Sequence, residues 1–199
     1  LSSSSAASDV YKRQPFDIFK ESATTETTDP SVWSANISSR CGADPDGVVK
    51  AADMLLSAEK PVIVVVQGVR YGGAAAELLQ LAERLKIPVA ASASGLGALP
   101  VEHPLSLGLV QRGGTYQANH ACRQADVLLA IGVRFDDRTS SSWIPGYSFT
   151  IPPTRLIHVD IDPEEIGRNY PVALGLMADV RTFLRQILAE LDRRGHDVL

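Results

Sequence analysis

The sequence predicts an α/β domain whose parallel β-sheet is covered by helices on both sides. Short, mostly apolar runs alternate with segments of helical periodicity, which is the pattern of such folds. Charged residues follow two of the runs directly, at 132–137 (Gly-Val-Arg-Phe-Asp-Asp) and at 160–166 (Asp-Ile-Asp-Pro-Glu-Glu-Ile). Ligands of open α/β sheets bind at this carboxyl edge of the strands, so these motifs are the first candidates for a site.

The elements are predicted in order along the chain. Asp44 is a suitable N-cap and Pro45 suits the first helical position, so a first helix is expected to run to about Ala58. The β-branched run that follows is typical of a strand buried on both faces. The predicted elements after the first helix are a strand at 61–67, a helix at 74–85, a strand at 87–91, a helix at 116–125, strands at 127–131 and 155–160, a short helical turn at 163–166, an apolar segment at 172–177 and an amphipathic helix at 180–194.

Composition divides the chain into a domain and its flanks. Residues 15–43 are rich in Ser, Thr and Glu and are expected to form an interdomain linker, followed by the domain at 44–194 and a tail at 195–199. Residues 1–14 contain four consecutive serines, and residues 5–14 resemble a translated linker artefact found at the ends of assembled environmental reads. We expect a non-native tail there, with a native disordered tail as the alternative.

Charge and hydropathy exclude several functional classes. The 199 residues contain 19 basic and 23 acidic side chains without a basic block, which disfavours a nucleic-acid partner. The longest apolar run, at 61–66, is far shorter than the roughly 20 residues that span a bilayer, so no membrane association is expected. Two cysteines are too few for a disulfide scaffold or a zinc site, and a cytoplasmic location fits best.

Two glycine-containing loops are candidate ligand contacts. The segment 68–73 follows a strand where dinucleotide-binding loops occur, but it lacks the Gly-x-Gly-x-x-Gly spacing. Arg70 within it could hold a phosphate or could be an exposed arginine of a plain turn. In the second loop, Gly95, Leu96 and Gly97 could let a flat or anionic ligand lie against the backbone, or could form a flexible connection.

The strand ends at 132–138 and 158–162 carry the remaining candidates. Arg134 suits a diphosphate and Asp136 a ribose, although both could belong to an ion-paired surface turn with Asp137 and Arg138. Asp160 and Asp162 could bind a ribose, cap the turn at Pro163, or do both. His158 is interpreted as a buried histidine with satisfied hydrogen bonds, because no nucleophile lies near it in the sequence.

Three blocks taken in order resemble the central domain of thiamine diphosphate-dependent enzymes of the acetolactate synthase type. They are 114–119 (Gly-Thr-Tyr-Gln-Ala-Asn), 125–138 (Ala-Asp-Val-Leu-Leu-Ala-Ile-Gly-Val-Arg-Phe-Asp-Asp-Arg) and 158–169 (His-Val-Asp-Ile-Asp-Pro-Glu-Glu-Ile-Gly-Arg-Asn). The resemblance covers residues 44–194. It implies a Rossmann-like, three-layer domain with about six parallel strands and helices on both faces, between a pyrimidine-binding and a diphosphate-binding domain.

The resemblance also implies a cofactor site. Flavin-containing members bind FAD in this domain, which would place Arg70 and Arg134 at the diphosphate and Asp160, Ile161 and Asp179 at the adenosine. The candidate cofactor-binding residues are Arg70, Gly95, Leu96, Gly97, Gly114, Gly132, Arg134, Asp136, Asp160, Ile161 and Asp179. At 112–114 the chain has Arg-Gly-Gly where acetolactate synthases usually carry Met-His-Gly, and Ala178 replaces a usual glycine. Several relatives keep the fold without a flavin.

No catalytic residue is expected in this chain. The Gly-Asp-Gly motif that helps to hold thiamine diphosphate and Mg²⁺ in the family does not occur, so both would be bound by the flanking domains. We therefore expect a fragment of a carboligase or decarboxylase of 2-keto acids that is inactive alone and homo-oligomeric when complete. The alternative is a ligand-free structural spacer that forms oligomer contacts. A dehydrogenase is disfavoured by the missing glycine motif, and a sirtuin-like deacylase by the cysteine count.

Overall fold

The computed structural model describes residues 40–196 and the isolated positions 22, 24, 26 and 29. The chain divides into two units, 1–38 and 39–199, and the fold below is that of the second. The predictions for residues 1–14 and for nearly all of the linker at 15–43 lie outside the described residues.

The described elements alternate between helices and strands. Asp44 caps the first helix as predicted, because its Oδ1 accepts a hydrogen bond from the amide of Gly47 at 3.1 Å. The elements are α1 (Pro45–Leu56), β1 (Pro61–Val65), α2 (Gln67–Tyr71), α3 (Ala75–Leu85), β2 (Val89–Ala91), a 3₁₀ turn (Ala93–Gly95), β3 (Ser106–Leu109), α4 (Tyr116–Gln124), β4 (Val127–Ile131), β5 (Arg155–Asp160), β6 (Leu174–Met177) and α5 (Val180–Arg193).

The six strands form one parallel sheet in the order β3-β2-β1-β4-β5-β6. This is the strand order of doubly wound, Rossmann-type sheets. The central pair joins β1 to β4 in register from Pro61 opposite Val127 to Val65 opposite Ile131. The predicted fold class is therefore confirmed.

Each face of the sheet buries its own apolar cluster. Along β1 and β4, successive side chains point to opposite faces, which is why both strands are almost wholly apolar. On one face, Ile63 and Leu129 pack with residues of α1, α3 and α5; on the other, Val64 and Leu128 pack with α4 and the chain after β4. The sheet thus forms the middle of three layers.

Three local predictions differ from the structure. Gln67, expected to end the first strand, and residues 68–71, expected to be a turn, form the short helix α2. The four-residue edge strand β3 was not predicted. The segment 163–166, expected to be helical, consists of turns. β3 lacks a strand signature because its side chains are only half-buried and Gly108 within it has φ +80°.

No described helix combines the length and apolar character needed to cross a membrane.

Candidate functional site

A cavity of about 320 Å³ opens at the carboxyl edge of the sheet. It lies where the strand order reverses between β1 and β4, the position at which doubly wound sheets bind ligands. Most of its lining residues follow β1, β4, β5 and β6, and the lining comprises Arg40, Gln67, Gly68, Tyr71, Gly72, Gly132, Arg134, Asp160, Ile161, Asp179 and Val180.

Two glycines bring the ends of β1 and β4 close together beside this cavity. A Cβ atom on Gly132 would lie 3.6 Å from the Cα of Gly68, and Gly132 has φ +66°, which favours glycine. The amide of Gly132 donates to the carbonyl of Val159 at 2.8 Å, which ties this turn to β5. The glycines leave backbone, without side chains, exposed to a ligand in the cavity.

Asp179 lines the cavity and also caps the helix that follows it. Its Oδ1 accepts hydrogen bonds from the amide and the hydroxyl of Thr182, each at 3.0 Å, and so caps α5. Its Oδ2 lies 3.2 Å from Nη1 of Arg40. Burial acts to raise the pKa of Asp179, but the hydrogen bonds from Thr182 and Arg40 outweigh it and lower the pKa below 3.8.

Asp160 is the carboxylate with spare acceptor capacity. The residue is 7% exposed at the end of β5, and its Oδ1 accepts from the amide of Asp162 at 3.0 Å. Within the described residues no hydrogen bond reaches Oδ2, so this oxygen can accept from a ligand hydroxyl. Asp162 itself caps the following turn, because its Oδ1 accepts from the amide of Glu164 at 3.0 Å.

Arg134 is held loosely at the cavity. Its side chain is 67% exposed, and Nε lies 3.8 Å from Oε1 of Glu165, which also contacts Arg168 at 3.0 Å. The predicted alternative, an ion-paired turn with Asp136 and Asp137, does not form among the described residues. Asp136 instead accepts from the amide of Thr139 at 2.8 Å and does not line the cavity.

Arg70 does not line the cavity, although it lies on α2 beside it. Tyr71, the next residue, does line it and is 84% exposed. Arg40, which precedes α1, also lines it, and neither Tyr71 nor Arg40 was identified from the sequence. Their positions depend on how α2 and the residues just before α1 pack, for which the sequence carries no motif.

Two candidate glycines are explained by packing within the fold. A Cβ on Gly95 would lie 2.5 Å from the carbonyl oxygen of Val65, and a Cβ on Gly114 would lie 2.1 Å from that of Leu109. Both positions therefore admit only glycine without a backbone shift. Neither lines the cavity, nor do Leu96, which is 42% exposed, and Gly97, which has φ +85°.

His158 is a buried histidine with both ring nitrogens paired, as predicted. Nε2 lies 2.7 Å from the carbonyl of Val133, and Nδ1 lies 3.3 Å from the amide of Gly167. The geometry fits the neutral tautomer in which Nε2–H donates and Nδ1 accepts. Burial lowers the pKa of His158 below 6.5 and favours this neutral form.

A second cavity of about 340 Å³ lies between the loops that follow β3 and β4. The hydroxyl of Ser142 accepts a hydrogen bond from Nη2 of Arg112 at 2.5 Å, which links the two loops. The cavity is lined by Gln111, Arg112, Gly113, Asp137, Arg138 and Ser142. Across the described residues, no group of three or more His, Cys, Asp or Glu side chains is placed to hold a metal ion.

The strand order and the cavity at its reversal point define a doubly wound α/β domain of the kind that commonly binds nucleotides. Residues 48–187 match the family described as thiamine pyrophosphate enzyme, central domain, and the chain belongs to this family. The predicted resemblance is thereby confirmed.

The proteins similar to this chain include large subunits of acetolactate synthases. The "Probable acetolactate synthase large subunit" of Methanocaldococcus jannaschii is 43% identical over 147 residues, which cover 74% of this chain and 24% of that protein. The "Acetolactate synthase isozyme 3 large subunit" of Escherichia coli K12 is 34% identical over 171 residues, covering 83% of this chain and 29% of that protein. The chain thus spans about a quarter of the length of the curated relatives it matches.

Proposed function

We propose that this domain binds an adenine nucleotide, with FAD as the candidate cofactor, in the cavity at the carboxyl ends of β1 and β4. The cavity at the reversal point of the sheet is the observation that carries the proposal. The backbone at Gly68 and Gly132 would lie against the diphosphate, Arg134 would neutralise it, and Asp160 would accept from the ribose. The residues present therefore fit an adenosine diphosphate group.

The domain would serve within a larger enzyme that joins or decarboxylates 2-keto acids. Membership of the family and the names of the relatives support this role. Thiamine diphosphate supplies, when bound, the carbanion chemistry of such reactions. We propose that flanking domains hold it with Mg²⁺, that the complete enzyme is a homo-oligomeric cytoplasmic protein, and that this chain alone is inactive.

Titration of the purified 199-residue chain with FAD tests the nucleotide proposal. Binding should change the visible absorption spectrum and the fluorescence of the flavin, because the bound cofactor is no longer in the environment that it has in bulk water. Arg134→Gln should weaken binding about tenfold through the loss of a charge-assisted contact. Arg155→Gln is a matched control, since Arg155 lies at the opposite, amino end of the strands.

The alternative function is a ligand-free spacer that forms oligomer contacts. A folded chain that takes up neither FAD nor ADP would favour this alternative and contradict the cofactor proposal. The enzyme class is tested separately on the longer reading frame, which should encode a Gly-Asp-Gly motif about one domain length beyond Leu199.

A further inference from the structure

Arg40 connects α2 and α5, which both border the cavity at the carboxyl ends of β1 and β4. Its Nη1 lies 2.9 Å from the carbonyl of Gly72, at the end of α2, and 3.2 Å from Oδ2 of Asp179, at the start of α5. Next to it, the carbonyl of Cys41 accepts from the amide of Asp179 at 2.9 Å. These contacts fix residues 40 and 41 against the cavity.

These contacts leave part of the Arg40 guanidinium group free to bind a ligand. Within the described residues all of its hydrogen bonds use Nη1, so Nε and Nη2 have donors to spare. The side chain is 47% exposed and lines the cavity. A planar guanidinium with two free donor nitrogens suits a phosphate, which accepts paired, charge-assisted hydrogen bonds.

The positive charge at the cavity comes from Arg40 and Arg134. These are the two cationic side chains in its described lining, which does not include Arg70. Asp160 and Asp179 in the same lining would repel a phosphate, so at least one arginine must approach it directly. The single positive charge of Arg134 alone would be outweighed by the negative charges of these two carboxylates.

We propose that Arg40, and not Arg70, is the second arginine that contacts the phosphates of a nucleotide in this cavity. The assignment rests on the proposed nucleotide-binding function. The ion pair with Asp179 orients Arg40, so that a side chain from the segment that precedes α1 becomes part of the binding site.

Calorimetric titration of the 199-residue chain with ADP and with adenosine tests this assignment. Arg40→Gln should weaken ADP binding about tenfold and change adenosine binding less than about twofold, because adenosine carries no phosphate. Arg40→Lys keeps the charge without the planar group and should lie in between. Arg70→Gln is the matched control and should leave both affinities within about twofold.

The outcomes separate the assignment from the proposed function. Equal loss of ADP and adenosine affinity in Arg40→Gln would show a general effect on the cavity, and loss in Arg70→Gln alone would return the role to Arg70; either result overturns the assignment. If Arg40→Gln fails to fold by thermal unfolding, Arg40→Lys decides in its place. If the wild-type chain binds neither ligand, both the nucleotide proposal and this assignment are overturned. If the wild-type chain binds ADP and both Arg40→Gln and Arg40→Lys bind it equally well, only this assignment is overturned.

Discussion

Asp179 caps α5 through Thr182, whose amide and hydroxyl both donate to the same carboxylate oxygen at 3.0 Å. Asp179→Ala should therefore lower the free energy of unfolding by about 1 kcal/mol, the usual cost of a lost N-cap. Urea unfolding measures this change. Asp44→Ala removes the comparable cap of α1, away from the cavity, and should cost a similar amount without altering nucleotide affinity. A stability of Asp179→Ala equal to wild type would contradict the capping role.

Asp160→Asn is expected to weaken binding of ADP and of adenosine alike, by about tenfold. The amide keeps the shape of the side chain but removes the negative charge that would accept from the ribose, which both ligands contain. Calorimetry measures both affinities. Asp162→Asn is the matched control, since Asp162 caps a turn and does not line the cavity. Unchanged affinities in a folded Asp160→Asn variant would exclude the ribose contact.

Gly114→Ala should destabilise the domain by about 3 kcal/mol, because the new methyl group would lie 2.1 Å from the carbonyl oxygen of Leu109. Its neighbour Gly113 provides the control, since no atom lies within 4 Å of a Cβ placed there. Gly113→Ala should stay within about 0.5 kcal/mol of wild type. Thermal unfolding of the two variants would refute the packing explanation if they had equal midpoints.

The buried His158 should make stability depend on pH. Its pKa is lowered from 6.5 on folding, mainly by burial, so the unfolded chain binds a proton more readily than the folded one. The contribution of His158 is complete above pH 6.5 and is lost as the pH falls below that value toward the folded pKa. Urea unfolding across this range should show a smaller loss in His158→Gln than in wild type. An identical pH dependence in both would contradict the prediction.

The strands predicted best are those buried on both faces. The predicted bounds of β4 and β5 agree with the structure. β4 is a continuous apolar run that is buried throughout, and β5 is buried at every residue after Arg155. The edge strand β3 could not be predicted, since Ser106 and Gly108 interrupt its apolar pattern. The helix α2 is too short, at five residues, for its periodicity to be read.

The site was predictable where it depends on the ends of strands. Gly132, Arg134 and Asp160 line the cavity because parallel strands deliver their carboxyl ends to one edge. Arg40 was not predictable, since only the packing of residues 40 and 41 against Asp179 brings it to the start of α5. The sequence also cannot distinguish a glycine needed by a ligand from one needed by a neighbouring carbonyl, which is the case at Gly114.

The pairing of Pro61 with Val127 places the middle of the sheet between two stretches of chain that are distant in sequence. Each stretch contributes three adjacent strands, and either one alone would present an unpaired central edge to solvent. The domain must therefore close a long loop before its centre is complete, an entropically costly and slow step in assembly. Because the cavity lies across that seam, nucleotide binding would report that the two halves of the chain have joined.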